Sequence, residues 1–248
     1  MIWLTALFAL VALVYASVGF GGGSTYSALL ALSDVDYRLI PIVALLCNII
    51  VVTGGTIRFL RAGLYDWRAV LPLVAISAPL AFIGGLVPLK QSIFFLLLGS
   101  GLLLSAIALL VPVDSVEKRR LAQTAMLAIS AIVGLVAGLS GIGGGIFMSP
   151  VLHLVRWAEA RRIAAFASLY ILINSITGIA GQLIKSGPVQ MVDAASGYWP
   201  LLAAVLVGGQ VGSIIGLRLL SPVLLRSLTA LLVGYVAVRL LIQGWGLL

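Results

Sequence analysis

Two short glycine runs are the residues of this 248-residue chain whose type and spacing could do chemistry. Gly19-Phe20-Gly21-Gly22-Gly23 and Gly141-Ile142-Gly143-Gly144-Gly145 each interrupt an apolar stretch, and they are offset by 122 residues. Because glycine weakens a helix interior, two matched breaks indicate that the backbone itself is needed at these points. A helix that restarts after a break has free N–H groups and a positive dipole end, which together attract anions.

We therefore predict an anion site at the two restarts. Its expected residues are Gly21, Gly22, Gly23, Ser24, Thr25, Asn48, Gly143, Gly144, Gly145 and Asn174. Asn48 and Asn174 stand at an offset of 126 in the apolar segment that follows each break. An amide inside a membrane needs a partner, so each either binds substrate or caps a backbone group at the break.

The alternative for the glycine runs is tight helix packing, which is common in membranes. Gly208, Gly212 and Gly216, spaced by four, are expected to form such a packing seam. Other neutral side chains of the two asparagine segments are expected to satisfy helix carbonyls rather than to touch a ligand. These are Thr53, Thr56, Ser175, Thr177 and Gln182.

Composition places these residues in a membrane protein. Hydrophobic residues make up 62% of the chain and charged residues 9%, against roughly 25% charged residues in a soluble domain. The net charge of +8 comes from small groups at segment ends, so we expect the lipid bilayer rather than nucleic acid as partner. Cys47 is the one cysteine, which excludes a disulfide framework and a cysteine zinc site, and we expect no cofactor or metal.

The segments after the glycine runs, Ser24–Leu32 and Ile146–Val155, are too short to cross a bilayer, which takes about 20 residues. Each is expected to be a half-helix that returns after the break. The first apolar segment has no Lys or Arg before Arg38, so it lacks the basic region of a cleaved signal peptide and belongs to the predicted fold.

Matching residues extend past the glycine runs and indicate a duplicated unit. Gly55 pairs with Gly181 at an offset of 126, while Pro72 with Pro200, Gly84 with Gly212 and Lys90 with Arg218 share an offset of 128. We predict one transmembrane repeat over residues 1–112, a cytoplasmic linker over 113–120 and a second repeat over 121–248.

Loop charge decides the orientation of the repeats. If every segment crossed once, the basic residues would divide seven to eight. If the broken segment Leu121–Val155 returns to its starting face, eleven fall on one side, against Arg38, Lys90, Lys185 and Arg239 on the other. The eleven are Arg58, Arg61, Arg68, Lys118, Arg119, Arg120, Arg156, Arg161, Arg162, Arg218 and Arg226. The positive-inside rule makes their side cytoplasmic.

The fold prediction is an all-α polytopic membrane protein. It consists of two inverted-topology repeats, each with a glycine-broken re-entrant helix pair and three spanning helices. The first broken segment is oriented by symmetry with the second, so both termini lie outside.

Catalysis is not expected. Gly138-Leu139-Ser140-Gly141 resembles the nucleophile motif of rhomboid intramembrane proteases, which need a histidine on a separate helix. His153 instead ends the same predicted hairpin. All carboxylates lie at segment ends or in loops, whereas proton-driven carriers usually hold one inside the membrane. They are Asp34, Asp36, Asp66, Asp114, Glu117, Glu159 and Asp193.

These motifs resemble the sulfite exporter TauE/SafE family of bacterial transporters over essentially the whole chain. The matching pieces are both G-x-G-G-G runs, Pro150, Arg61-Ala62-Gly63 with Asp66-Trp67-Arg68, and Ala167-Ser168-Leu169 leading into Asn174-Ser175-Ile176-Thr177-Gly178. In the first half, Ala28 replaces the proline. The resemblance implies an inner-membrane exporter of sulfite or a small organosulfonate. The alternatives are an anion channel and an importer of another sulfur oxyanion such as thiosulfate.

Overall fold

The chain is built of α-helices throughout the residues that the structure describes. The computed structural model describes residues 2–17, 19–33, 35–110, 121–215 and 222–247. The predicted linker 113–120 lies outside these ranges, as do Asp34, Gly216 and Arg218. The helices are α1 (Ile2–Ser17), α2 (Gly23–Leu32), α3 (Ile40–Arg61), α4 (Trp67–Leu86), α5 (Gln91–Leu110), α6 (Gln123–Ser140), α7 (Gly145–Leu154), α8 (Ala160–Gly197), α9 (Trp199–Ile215) and α10 (Pro222–Gly246).

Four of the described helices, α3, α4, α6 and α8, are long and apolar enough to cross a membrane. Shorter apolar helices accompany them, and we conclude that this is a multi-pass membrane protein. The helices that follow the glycine runs, α2 and α7, have 10 residues each. At about 1.5 Å per residue, each covers roughly half the thickness of the hydrocarbon core.

Helix α8 consists of two helical pieces separated by a kink. The apolar segment Ile163–Ile184 predicts a helix that ends near Ile184, and the first piece of α8 ends close to there, at Gly187. A second piece continues to Gly197, and α9 begins at Trp199. Gly187, at φ 81 and ψ 164, kinks the helix just before Pro188. Proline lacks an N–H group and has a helical φ, so it suits the first turn of the helical piece that follows the kink.

The packing partners of the first five helices correspond to those of the second five. Helix α1 packs on α9 as α6 packs on α4, and α2 packs on α3 as α7 packs on α8. A Cβ at Gly84 would lie 2.3 Å from the Leu135 carbonyl oxygen, and a Cβ at Gly212 would lie 2.0 Å from that of Leu13. Leu13 and Leu135 are offset by 122, like the glycine runs, so one contact occurs twice.

The predicted packing seam on α9 is confirmed where the structure describes it. Gly208 faces the Ala9 carbonyl, with 2.2 Å from its Cβ position to the oxygen, and Gly212 faces α1 one turn later. Any side chain at either position would force the two helices apart.

Helices α3 and α8, which carry the two asparagines, run in opposite directions. The hydroxyls of Thr56 and Ser168 are 2.8 Å apart, near the end of α3 and near the start of α8. Leu45, early in α3, instead contacts the position of Gly178, later in α8.

Candidate functional site

The glycine runs form tight turns at which α2 and α7 begin. Gly22, the N-cap of α2, has φ 85, and Gly144, the N-cap of α7, has φ 81, a left-handed conformation that glycine adopts without strain. Neither N-cap forms a side-chain hydrogen bond to the first turn. The restarts therefore present backbone donors at a positive dipole end, as the sequence predicts.

Both turns lie inside the protein. Every residue from 21 to 30 is buried, and so is every residue from 141 to 146. Irregular backbone at membrane depth is tolerated only where protein or water surrounds it. The burial of these turns meets that condition.

The side chain of Asn48 lies between the two turns. Its Nδ2 donates to the carbonyl oxygen of Ile142 at 3.2 Å and, more weakly, to that of Gly141 at 3.5 Å. A Cβ at Gly21 would lie 2.5 Å from Asn48 Oδ1, and one at Gly23 would lie 2.4 Å from Nδ2. Because Gly21 and Gly23 have no side chains, the first run can approach the Asn48 amide, which is hydrogen-bonded to the second run.

Three buried polar atoms at this junction have no protein hydrogen-bond partner within the described part of the chain. They are Asn48 Oδ1, Ser175 Oγ and the Tyr26 hydroxyl, which lies 3.1 Å from the Cβ position of Gly22, and all three residues have no exposed surface. Ser175 Oγ lies 3.1 Å from the Cβ position of Gly143. Because buried polar atoms are nearly always paired, these three are candidates for ligand contact.

The orientation of the Asn48 amide follows from its surroundings. Its nitrogen faces two carbonyl oxygens, which need a donor. A flipped amide would place oxygen against oxygen, so the orphan atom is the acceptor Oδ1.

Asn174 is not at the turns, although it is equivalent to Asn48 in sequence. Its Oδ1 accepts a hydrogen bond from Ser77 Oγ at 2.9 Å. Nearby, the hydroxyls of Ser130 and Tyr170 are 3.0 Å apart, and Ser130 donates to the Leu73 carbonyl at 2.8 Å. These contacts join α4, α6 and α8 into one hydrogen-bonded unit.

The remaining predicted residues surround the junction. Thr25 Oγ1 lies 2.9 Å from the Tyr15 hydroxyl, and Ser24 is buried beside it in the first turn of α2. Gly22 faces the Tyr26 ring, Gly144 faces the Tyr170 ring, and Gly145 faces Ile171. The structure thus brings Gly21, Gly23, Gly143 and Asn48 together. The other predicted residues lie in or next to the two turns, except Asn174, which lies apart from them.

Among the neutral side chains of α3 and α8, the expected bond to a helix carbonyl is found for some, but not for Ser175 or for Thr56, whose hydroxyl pairs with that of Ser168. Thr53 and Thr177 donate to carbonyls of their own helices, at 2.5 and 3.0 Å, as expected. Gln182 donates to the Gly138 carbonyl at 3.3 Å. Ser175 forms no such bond, and its position beside Asn174 was the one signal that could have pointed to it.

Comparison with known proteins identifies the family. The model of the sulfite exporter TauE/SafE family matches residues 4–240. The chain belongs to the sulfite exporter TauE/SafE family. A protein of Sinorhizobium fredii (strain NBRC 101917 / NGR234), named probable membrane transporter protein y4hK, is 34% identical over 249 residues, covering 97% of this chain and 98% of its own. No solved structure matches the chain.

The serine motif of this TauE/SafE protein has a structural role. Ser140 Oγ donates to the Val136 carbonyl at 2.7 Å and accepts from the Ile142 N–H at 3.4 Å, so it closes the turn at the end of α6. His153 lies near the opposite end of α7. Among the described residues, no group of three His, Cys, Asp or Glu side chains could hold a metal ion.

The described carboxylates of this TauE/SafE protein all lie away from the junction. Asp36, Asp66, Glu159 and Asp193 are exposed. Asp66 caps α4 by accepting from the Arg68 N–H at 3.2 Å. The polar groups described at the junction are therefore neutral, and the charge that they offer a ligand is that of the helix dipoles.

Proposed function

We propose that this TauE/SafE protein exports sulfite or a small organosulfonate, which binds at the junction of the two glycine turns. One observation carries the proposal. Asn48 donates to the second turn and packs against Gly21 and Gly23 of the first. Its Oδ1 and the nearby Ser175 Oγ are buried without protein partners among the described residues. The family description, sulfite exporter, supports the substrate class.

The groups at the junction that could contact a sulfur oxyanion are mainly hydrogen-bond donors. The first N–H groups of α2 and α7 and the Ser175 hydroxyl can donate to oxyanion oxygens, and both dipole ends favour negative charge. Asn48 Oδ1 can accept a hydrogen bond from a protonated oxygen of the anion. A neutral site of this kind releases its ligand more readily than one with a buried counter-charge.

We further propose that the two halves are inverted repeats with re-entrant hairpins. The antiparallel course of α3 and α8, which are equivalent by sequence offset, supports the inversion. Ser130 of α6 contacts Tyr170 of α8, and Gly138 of α6 contacts Gln182, so α6 and α8 run in the same direction. Two parallel helices joined through α7 require the chain to return between them, which is a re-entrant course.

The described basic residues support a cytoplasmic assignment for one end of the bundle. This basic face carries Arg58, Arg61, Arg68, Arg156, Arg161 and Arg162. A cavity of about 120 Å³ is lined by Tyr65 and Asp66 from the connection between α3 and α4 and by Trp157 and Arg162 from around the start of α8. The shared cavity brings both connections to the same face, as the positive-inside rule requires. The termini then lie on the periplasmic side of the bacterial inner membrane.

Transport would follow from rocking one repeat against the other about the paired turns. An anion channel and an importer of another sulfur oxyanion such as thiosulfate are the alternatives. Flux that saturates with substrate separates a carrier from a channel, and the sidedness of uptake in oriented vesicles separates export from import.

Thermal stabilisation of the purified protein tests the substrate class directly. The panel is sulfite, methanesulfonate, thiosulfate and sulfate, with chloride at matched ionic strength as control. We expect concentration-dependent stabilisation by sulfite or the sulfonate. Stabilisation by none of the sulfur oxyanions contradicts the proposal.

A further inference from the structure

Arg58 is a half-buried cation whose hydrogen-bond acceptors are neutral. It lies in the last turn of α3, and its Nη2 donates to Gln210 Oε1 at 3.3 Å and to Ser213 Oγ, both on α9. Its Nε is buried and has no partner among the described residues. Among the residues that the structure describes, the guanidinium charge is therefore held in place without a carboxylate.

The contact between Arg58 and α9 depends on a missing side chain. A Cβ at Gly54, one turn before Arg58, would lie 2.5 Å from Gln210 Oε1 and 2.9 Å from Arg58 Nη2. Glycine at this position lets the Gln210 amide approach α3 closely and reach the guanidinium. Two helices thus build the arrangement together.

Arg58 differs in burial from nearly all other described basic side chains. Eight of these are exposed: Arg38, Arg61, Arg68, Lys90, Arg156, Arg161, Arg162 and Arg239. A lysine or arginine near a helix end usually extends into the interface, where its charge is hydrated. Arg58 instead turns toward a neighbouring helix, and a charge kept at such a position indicates function.

The position of Arg58 relates it to the junction. It follows Asn48 by ten residues on α3, which is about 15 Å along the helix toward the basic face. Lys185, the other half-buried cation among the described side chains, follows Asn174 by eleven residues on α8. Because α3 and α8 are antiparallel, the two cations lie toward opposite ends of the bundle.

We infer that Arg58 binds the transported oxyanion between α3 and α9 at the basic face, on its way to the junction of the glycine turns. The planar guanidinium fork matches oxyanion geometry, and its unpartnered Nε–H supplies a charge-assisted hydrogen bond. Gln210 and Ser213 fix the fork without neutralising it. The inference deepens the proposed function and rests on it.

The test compares Arg58→Gln with Arg61→Gln in the purified full-length protein. Each variant removes one positive charge from the last turn of α3, but Arg61 is exposed, so it controls for surface potential and topology. Thermal-shift titrations use sulfite, methanesulfonate, thiosulfate, phosphate and nitrate. We expect apparent affinity to fall by on the order of tenfold to a hundredfold in Arg58→Gln and by less than about twofold in Arg61→Gln.

A second variant and the wild type distinguish a failure of the role of Arg58 from a failure of the proposed function. Gln210→Ala retains the charge but removes one acceptor, and we expect an intermediate loss of affinity. Equal affinity in Arg58→Gln and Arg61→Gln, with a binding wild type, overturns the role of Arg58 and leaves the proposed function standing. If phosphate or nitrate alone binds, and Arg58→Gln weakens it, the sulfur substrate is wrong and Arg58 is upheld. Stabilisation by no anion overturns both.

Discussion

Asn48 Nδ2 donates to the carbonyl oxygen of Ile142 at 3.2 Å, across 94 residues of sequence, so a side chain of the first half holds the glycine turn of the second. In the equivalent amide, Asn174 Oδ1 accepts from Ser77 Oγ instead, while its Nδ2 is buried without a partner among the described residues. Asn48, from the first half, thus contacts both turns. Asn174, from the second half, instead hydrogen-bonds within the group of contacts that joins α4, α6 and α8.

The two asparagines should therefore respond differently to truncation. Asn48→Ala removes the donor for the Ile142 carbonyl and separates the turns, so we expect it to abolish sulfite-induced stabilisation. Asn174→Ala removes one buried hydrogen bond, worth about 1 kcal/mol, and should lower thermal stability with affinity nearly unchanged. Titration of sulfite against the melting temperature of each variant measures both effects. If Asn48→Ala and Asn174→Ala lose sulfite affinity equally, both asparagines belong to the site, as their equivalent sequence positions predict, and the contrast drawn from their contacts is wrong.

Close approach of glycine to Asn48 gives a second prediction. Gly21→Ala and Gly23→Ala would place a methyl group within about 2.5 Å of the Asn48 amide, which must move, so we expect both to lose anion binding. Neither residue has a positive φ, so the effect comes from contact and not from backbone strain. Gly197→Ala meets nothing within 4 Å and serves as the matched control, with a stability change within about 1 kcal/mol. Binding that survives in Gly21→Ala and Gly23→Ala would place the anion elsewhere.

The re-entrant course of α6 and α7 can be measured by cysteine accessibility. In a Cys47→Ser background, Ala122→Cys and Glu159→Cys lie on exposed positions before α6 and after α7. Both should react with a membrane-impermeant maleimide from the cytoplasmic face alone. Lys90→Cys, exposed before α5, should react from the periplasmic face and controls for leaky vesicles. Ala122→Cys and Glu159→Cys labelled from opposite faces would exclude the hairpin.

The sequence predicts the helices better than the contacts of the site. Segment length and the paired glycine runs were enough to locate α2 and α7, because too few apolar residues follow each run to cross a bilayer. The difference between Asn48 and Asn174 was not predictable, since it depends on a neighbour from another helix. Ser77 offers a hydroxyl to Asn174, whereas the residue at the equivalent offset of 128 is Val205, which cannot hydrogen-bond.

Arg58 shows a related limit. In sequence it is one of several basic residues at a segment end, and charge counting assigns all of them to topology. Its distinct role depends on Gly54 and Gln210, which meet only when α3 packs on α9. The spacing of residues within α3 alone therefore could not predict the contact between Arg58 and Gln210.

The last prediction concerns protons. The described carboxylates are exposed and the junction is neutral, so no described acid at the junction can carry a proton separately from the substrate. Any proton would travel on the anion, as in bisulfite, whose O–H can donate to Asn48 Oδ1. We therefore expect Asp36→Asn, Asp66→Asn, Glu159→Gln and Asp193→Asn, made one at a time, to retain the wild-type pH dependence of sulfite flux in liposomes. Asn48→Asp is the positive control, because it puts a titratable group at the site and should weaken sulfite binding further as rising pH ionises the new carboxyl. If one of the four neutral variants makes flux independent of pH while sulfite still binds, the protein has a dedicated proton carrier and the neutral-site mechanism is wrong.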